Sequence, residues 1–338
     1  MKQATKKLLT TGLLALTATP LLAEVNIYSS RQEGLIKPLL DKFTEQTGIE
    51  VNLVSGKDDA LITRLSTEGK RSPADLLITA DAGRLYRAKE ANVLQPLKSD
   101  VVDAKVPANL RDSDDFWTGL TMRARPIFYV KGNVTEDELS TYEALTDAHW
   151  KGRICIRSSS NIYNQSLIAS MIDANGENAS EEFAKGLVAN MARPPSGGDT
   201  DQLKAAAAGL CDIAIANTYY YGRLVNSDSA ADNEVAAKLG VFWPNQGDRG
   251  THVNVSGIAI TKASKNVEES KQLIEFMLST ESQQWYSEVN NEYPVVAGVD
   301  ASNALTNLGE FKADAVNLTV LGVNNEAAVK LMDRAGWK

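Results

Sequence analysis

Histidine is scarce in this chain, with only His149 and His252 in 338 residues. Neither lies in a recognisable motif, and there is no Gly-x-Ser-x-Gly, no His-Glu-x-x-His and no glycine-rich phosphate loop. The usual pairing of base and nucleophile has little material, so an enzyme is not expected. Cysteine is equally rare. Cys155 and Cys211 have no second Cys or His at ligand spacing, which argues against a structural zinc site. No basic block occurs, and 35 Lys and Arg against 43 Asp and Glu give a formal charge of −8. Such an acidic chain is a poor partner for nucleic acid or anionic membrane. No repeat of fixed period and no low-complexity segment is visible. The one long apolar run, residues 8–22, is broken by threonines and Pro20 and is too short for a comfortable membrane span.

That run has a different reading. Lys2, Lys6 and Lys7 precede it and Ala23 offers a small residue for cleavage, so residues 1–23 are expected to be a secretory signal peptide. Its removal takes the formal charge from −8 to −11. The remaining residues 24–338 exceed the size at which one core usually keeps growing, so two domains are expected. In an exported chain an even pair of cysteines reads as a disulfide, here Cys155 with Cys211, tying two adjacent strands of one sheet. Two buried free thiols are the alternative.

Strand patterns alternate with helical ones, which points to α/β architecture. Strands are expected at 25–28, 49–54, 74–79, 152–157, 211–216 and 239–244. Helices are expected from about residue 34 to 48, with Pro38 opening or kinking the first, and at 58–68, 81–91, 180–191, 266–280 and 281–289. A polar cluster at 158–161 caps another helix, and 146–150 is a short helical turn. The extended run 117–130 leaves one domain for the other, and 251–261 returns as a second hinge strand. A last helix, 325–334, must dock on an existing domain.

The chain is organised around Asn217-Thr218-Tyr219-Tyr220-Tyr221-Gly222-Arg223. Asn217 or Thr218 can cap a helix through a side-chain oxygen, which places the tyrosines in its first turn. Successive residues are rotated by about 100°, so two adjacent tyrosines converge only just outside the helix end. There the exposed N–H groups and the positive dipole end favour an anion, a phenolate included. A free tyrosine has a pKa of roughly 10 and ionises only when a strong cation takes its oxygen. Clustered hard oxygen donors therefore suit ferric iron. Aromatic core packing, or an ordinary organic-ligand pocket, is the plainer reading. Three units share one plan, at 28–34, 157–166 and 216–223: a strand, a polar cap, a helix start. In open α/β sheets ligands bind at such strand ends, and a ligand between two lobes would touch all three.

These residues resemble the periplasmic ferric-iron-binding proteins, the transferrin-like substrate-binding components of bacterial iron(III) ABC transporters. The resemblance covers essentially the whole chain after residue 23. Its carriers are Tyr28-Ser29-Ser30-Arg31, the run 156–166 with Tyr163, and Asn217-Thr218-Tyr219-Tyr220. It implies a two-lobed type II periplasmic binding protein fold, each lobe a central β-sheet flanked by helices, joined by two hinge strands. The lobes would be 24–122 plus about 253–298, and 123–252 plus about 299–338. It also implies ferric ligation by Tyr163, Tyr219 and Tyr220, with Arg31 and Arg123 holding a synergistic carbonate or bicarbonate. Arg125, two residues from Arg123, is an additional candidate for the anion, Glu33 a further candidate ligand, and Tyr28 a candidate support. Tyr221 is expected in the core. Gln32-Glu33 stand where several members carry histidine or His-Tyr, so a tyrosine-only site is expected. The partners implied are ferric iron and an inner-membrane ABC permease, the place the periplasm, the state a monomer. A binding protein for an oxyanion or small organic acid without iron is the alternative.

Overall fold

The computed structural model describes residues 23–338, so the expected signal peptide lies, but for Ala23, outside the described residues. The strands are β1 (Glu24–Ser29), β2 (Glu50–Ser55), β3 (Leu76–Ala80), β4 (Leu94–Gln95), β5 (Thr118–Ala124), β6 (Ile127–Val130), β7 (Ile154–Cys155), β8 (Ile213–Ile215), β9 (Leu239–Phe242), β10 (Val253–Thr261) and β11 (Tyr293–Pro294). One sheet runs β11-β5-β10-β3-β1-β2, with β4 also paired to β10, and the other runs β7-β8-β6-β9. In the first, β1 is parallel to β2 and β3, while β10 is antiparallel to β3 and β5. All of β10 is buried, as a strand covered on both faces requires. Its polar members Asn254, Ser256 and Thr261 are buried too, and Ser256 accepts from Arg123.

The chain crosses between sheets at Arg125-Pro126, the two residues between β5 and β6. Proline offers no N–H to either ladder, so the break falls where pairing must change. The return lies between β9 and β10, and the two crossings are tied by a hydrogen bond from the Arg125 N–H to the His252 carbonyl at 3.0 Å.

Several expectations need adjustment. The strand expected over 152–157 is ordered as a strand only at β7, and five helices, Asp100–Lys105, Asp199–Ala207, Ala230–Lys238, Asn303–Thr306 and Val320–Val323, have no counterpart in the sequence reading. Pro38 opens the first helix, Lys37–Thr47, which follows a 3-10 turn at Glu33–Leu35. The unit after β1 therefore does not lead straight into an α-helix. The last helix, Asn325–Arg334, docks on Ile162–Asn175 and Glu177–Asn190. Before it, the short helix Val320–Val323 packs against both Ala82–Glu90 and Ile162–Asn175, touching elements attached to either sheet. Cys155 and Cys211 form a disulfide with Cα atoms 5.9 Å apart, linking β7 to the segment entering β8.

Candidate functional site

β8 is fully buried and delivers the chain to a helix, Thr218–Val225, whose first turn carries Tyr219 and Tyr220. Asn217 occupies the cap position but its side chain does not cap. Its oxygen accepts instead from Arg125 Nη1 at 2.9 Å, and the Thr218 hydroxyl accepts from the Ala124 N–H at 3.3 Å. The helix start is thus pinned to the first crossing segment by long-range bonds where the sequence suggested a local one. Tyr163 is presented more simply. It is the second residue of Ile162–Asn175, and its N–H donates to the capping Asn161 oxygen at 3.0 Å.

Two helix starts from different parts of the chain so bring three phenols together. The Tyr219 hydroxyl donates to that of Tyr163 at 3.1 Å, and the Tyr219 and Tyr220 rings have centroids 4.2 Å apart. Guanidinium groups surround them. Arg123 lies 5.4 Å and Arg157 5.7 Å from the Tyr163 ring centroid, while Arg223 lies 5.0 Å from that of Tyr219 and 5.7 Å from that of Tyr220. Burial nonetheless pushes the Tyr163 phenol up to about 12 and that of Tyr219 well above its ordinary value, with Arg123 pulling both only partly back. Without a cation these oxygens hold their protons. A strong Lewis acid that displaces those protons would meet clustered hard donors.

Arg31 and Arg123 stand on the first sheet's side. Arg123 is 1% exposed, donates to Ser256 Oγ at 3.3 Å and lies 3.8 Å from Asp81, yet its Nε and Nη2 have no hydrogen-bond partner. Arg31 pairs with Glu292 at 2.5 Å, and its Nε is likewise buried without a partner. Arg123 is the one arginine among the described residues with a buried terminal nitrogen left unpaired as well as Nε, and buried donors of this kind are usually satisfied.

The other candidates go elsewhere. Arg125 is buried against Asp199 at 2.7 Å, with Asn164 at 2.7 Å and Asn217 at 2.9 Å, so its guanidinium braces the tyrosine-bearing helices. Tyr28 donates to Glu68 at 2.9 Å with Arg64 over its ring, which commits the hydroxyl. Glu33 is exposed on the 3-10 turn. Tyr221 stacks on Phe128 with centroids 5.2 Å apart and donates to the Ala236 carbonyl. Sequence reasoning missed the carboxylates behind the arginines: Asp81, Asp199 and Glu292. Glu292 is 261 residues from Arg31, so no local pattern could have paired them. Among the described residues, no group of three or more His, Cys, Asp or Glu is gathered as a metal site.

The profile of the family described as bacterial extracellular solute-binding protein matches residues 39–313. Iron uptake protein A1 of Synechocystis is 49% identical over 315 residues, covering 93% of this chain and 88% of that protein. The structure of a Trichodesmium protein, IdiA (FutA), in complex with iron and citrate ligands superposes with a TM-score of 0.91. It is 52% identical and covers 94% of this chain and all of that one. The ferric binding protein of Campylobacter jejuni superposes at 0.88 with 42% identity, covering 93% of this chain and all of the other. The fold is that of two-lobed type II periplasmic binding proteins, and the relatives are iron uptake and iron-binding proteins rather than enzymes.

Proposed function

The chain belongs to the bacterial extracellular solute-binding protein family, and from that premise we propose that it is a periplasmic ferric-iron-binding protein for iron uptake. The observation that carries this reading is the convergence of Tyr163, Tyr219 and Tyr220, with the 3.1 Å contact between two hydroxyls, inside a ring of guanidinium groups. Relatives bearing iron in their names, at 42–52% identity, support the choice of cargo.

In this reading the three tyrosine oxygens ligate Fe³⁺ as phenolates, and their three charges balance the ion. Arg31 and Arg123 then hold a synergistic anion, carbonate or bicarbonate, through the donors that have no other partner. Glu33 has no role in it. Iron sits between the two lobes, which part at Arg125-Pro126 in this reading rather than at the expected 122/123 because β5 carries Arg123 and Ala124 in the first sheet, and the loaded monomer delivers it to an inner-membrane ABC permease. Export by a signal peptide cleaved after residue 23 precedes all of this.

The unpartnered arginine donors also suit a second reading, an oxyanion or small organic acid bound without iron. Titration with a ferric chelate decides between them. A visible tyrosinate-to-iron band should grow to one equivalent in the presence of bicarbonate. A protein that stays colourless yet binds the anion by calorimetry would favour the second reading.

A further inference from the structure

One buried carboxylate behind the two arginines has no part in the chemistry above. Glu292 immediately precedes β11 and is 5% exposed. Its Oε2 accepts from Arg31 Nη2 at 2.5 Å and from Thr121 Oγ1 at 2.7 Å, and its Oε1 accepts from Ser256 Oγ at 3.3 Å. The Ser256 hydroxyl in turn accepts from Arg123 Nη1 at 3.3 Å, so this carboxylate is wired to both arginines. Burial alone would favour the neutral acid, but Arg31 and Arg123 outweigh it and hold the group below the usual carboxylate range.

A guanidinium has five donors, and Glu292 engages Arg31 through one nitrogen, leaving Nε open. Arg31 thus retains hydrogen-bonding capacity although its charge is already matched. The same holds for Arg123, whose nearest carboxylate, Asp81, is 3.8 Å away while Nε and Nη2 are free. An incoming anion would find donors in plenty and little net positive charge.

We infer that Glu292 is an internal anion that shares the Arg31–Arg123 pair with the exogenous one and so sets its charge, admitting a small monoanion and disfavouring polyanions. The reason is electrostatic: every further negative charge on the guest is repelled by Glu292 and gains no uncompensated cation from the Arg31–Arg123 pair, whose charges already face Glu292 and Asp81. The inference rests on the ferric reading above.

Its test is ferric titration of the purified protein with bicarbonate or citrate as the sole added anion, read at the visible band. Glu292→Gln keeps the shape and removes the charge, so half-saturation by citrate should improve about tenfold or more relative to bicarbonate. Glu292→Asp keeps the charge and should keep the parent ratio. An unchanged ratio in Glu292→Gln, or the same shift in Glu292→Asp, overturns the inference. If Glu292→Gln does not fold, Arg31→Gln and its double variant with Glu292→Gln carry the test, since the double leaves no unpaired buried charge. The single should shift the ratio toward bicarbonate and the double should restore it; equal ratios in the two overturn the inference. A parent protein colourless with both anions overturns the ferric reading, whereas a coloured one with unresponsive ratios overturns only the role of Glu292.

Discussion

At the scale of single residues the tyrosines divide by where their hydroxyls point. Phenylalanine at 163, 219 or 220 removes one oxygen and keeps the ring. Each change should weaken ferric binding by more than the roughly 10–100-fold that loss of an outer-shell partner costs. Tyr221→Phe loses only a bond to the Ala236 carbonyl and should leave colour and affinity nearly unchanged. Bleaching by Tyr221→Phe, with Tyr219→Phe still coloured in the same titration, would reverse the assignment. Protons follow the same logic. Because burial lifts Tyr163 and Tyr219 above their ordinary range, ligation releases protons, and ferric affinity should rise with pH by about tenfold per unit for each proton displaced. His252 makes a prediction about stability. Burial, helped by Arg125, Arg123 and Arg249, pushes it down to about 3. Between its ordinary value of 6.5 and about 3 the unfolded chain binds a proton that the native one refuses. Its contribution is therefore complete above pH 6.5 and is lost on acidification, by up to about 1.4 kcal/mol per unit. Denaturant melts at pH 7, 5 and 4 should show a shallower decline in His252→Asn.

At the scale of elements two joints are testable. The Cys155–Cys211 bridge closes a separation of 56 residues and holds β7 against the approach to β8, the strand that leads to the tyrosine helix. Replacing both cysteines by alanine should cost about 4 kcal/mol by the chain-entropy estimate, measured as a lower denaturation midpoint. Gly257 lies at the irregularity of β10 against β5, where an added Cβ would stand 2.6 Å from the Thr118 carbonyl oxygen and from Leu85 Cδ1. Leucine can shift, but the carbonyl belongs to a paired strand. Gly257→Ala should therefore destabilise by about 2 kcal/mol. The elements themselves were largely legible. Alternation in β2, the polar cap before Tyr163 and the helical pattern of Asn325–Arg334 are local signals. Asp199–Ala207 escaped notice because it starts from glycines and is rich in small residues, so its buried face carries little apolar contrast.

At the scale of the whole molecule, Asp81 at the start of Ala82–Glu90 accepts from the Ser166 hydroxyl at 2.7 Å, one turn beyond Tyr163. It also accepts from Asn254 of β10 at 2.9 Å, so this carboxylate joins the first sheet to a tyrosine-bearing helix. A cargo touched by both lobes should favour closure. Small-angle scattering should then give a smaller radius of gyration with iron and bicarbonate than without. An unchanged radius would mean that the three tyrosines hold the ion from one lobe alone.

The sequence by itself determined the α/β alternation and the placing of two adjacent tyrosines at a helix start, because each is written in neighbouring residues, and it confined the first crossing to 117–130; the cysteine pair followed from there being just two of them in an exported chain. The tertiary structure alone decided which carboxylate stands behind which arginine. Arg31 meets Glu292 across 261 positions and Arg125 meets Asp199 across 74. The arginines read alike in the chain, yet both terminal nitrogens of Arg125 are engaged by Asp199, Asn164 and Asn217, while Arg123 keeps Nη2 as well as Nε without a partner. Local pattern reports periodicity and capping; the pairing of buried charges depends on how distant strands are brought into register, and only the fold fixes that.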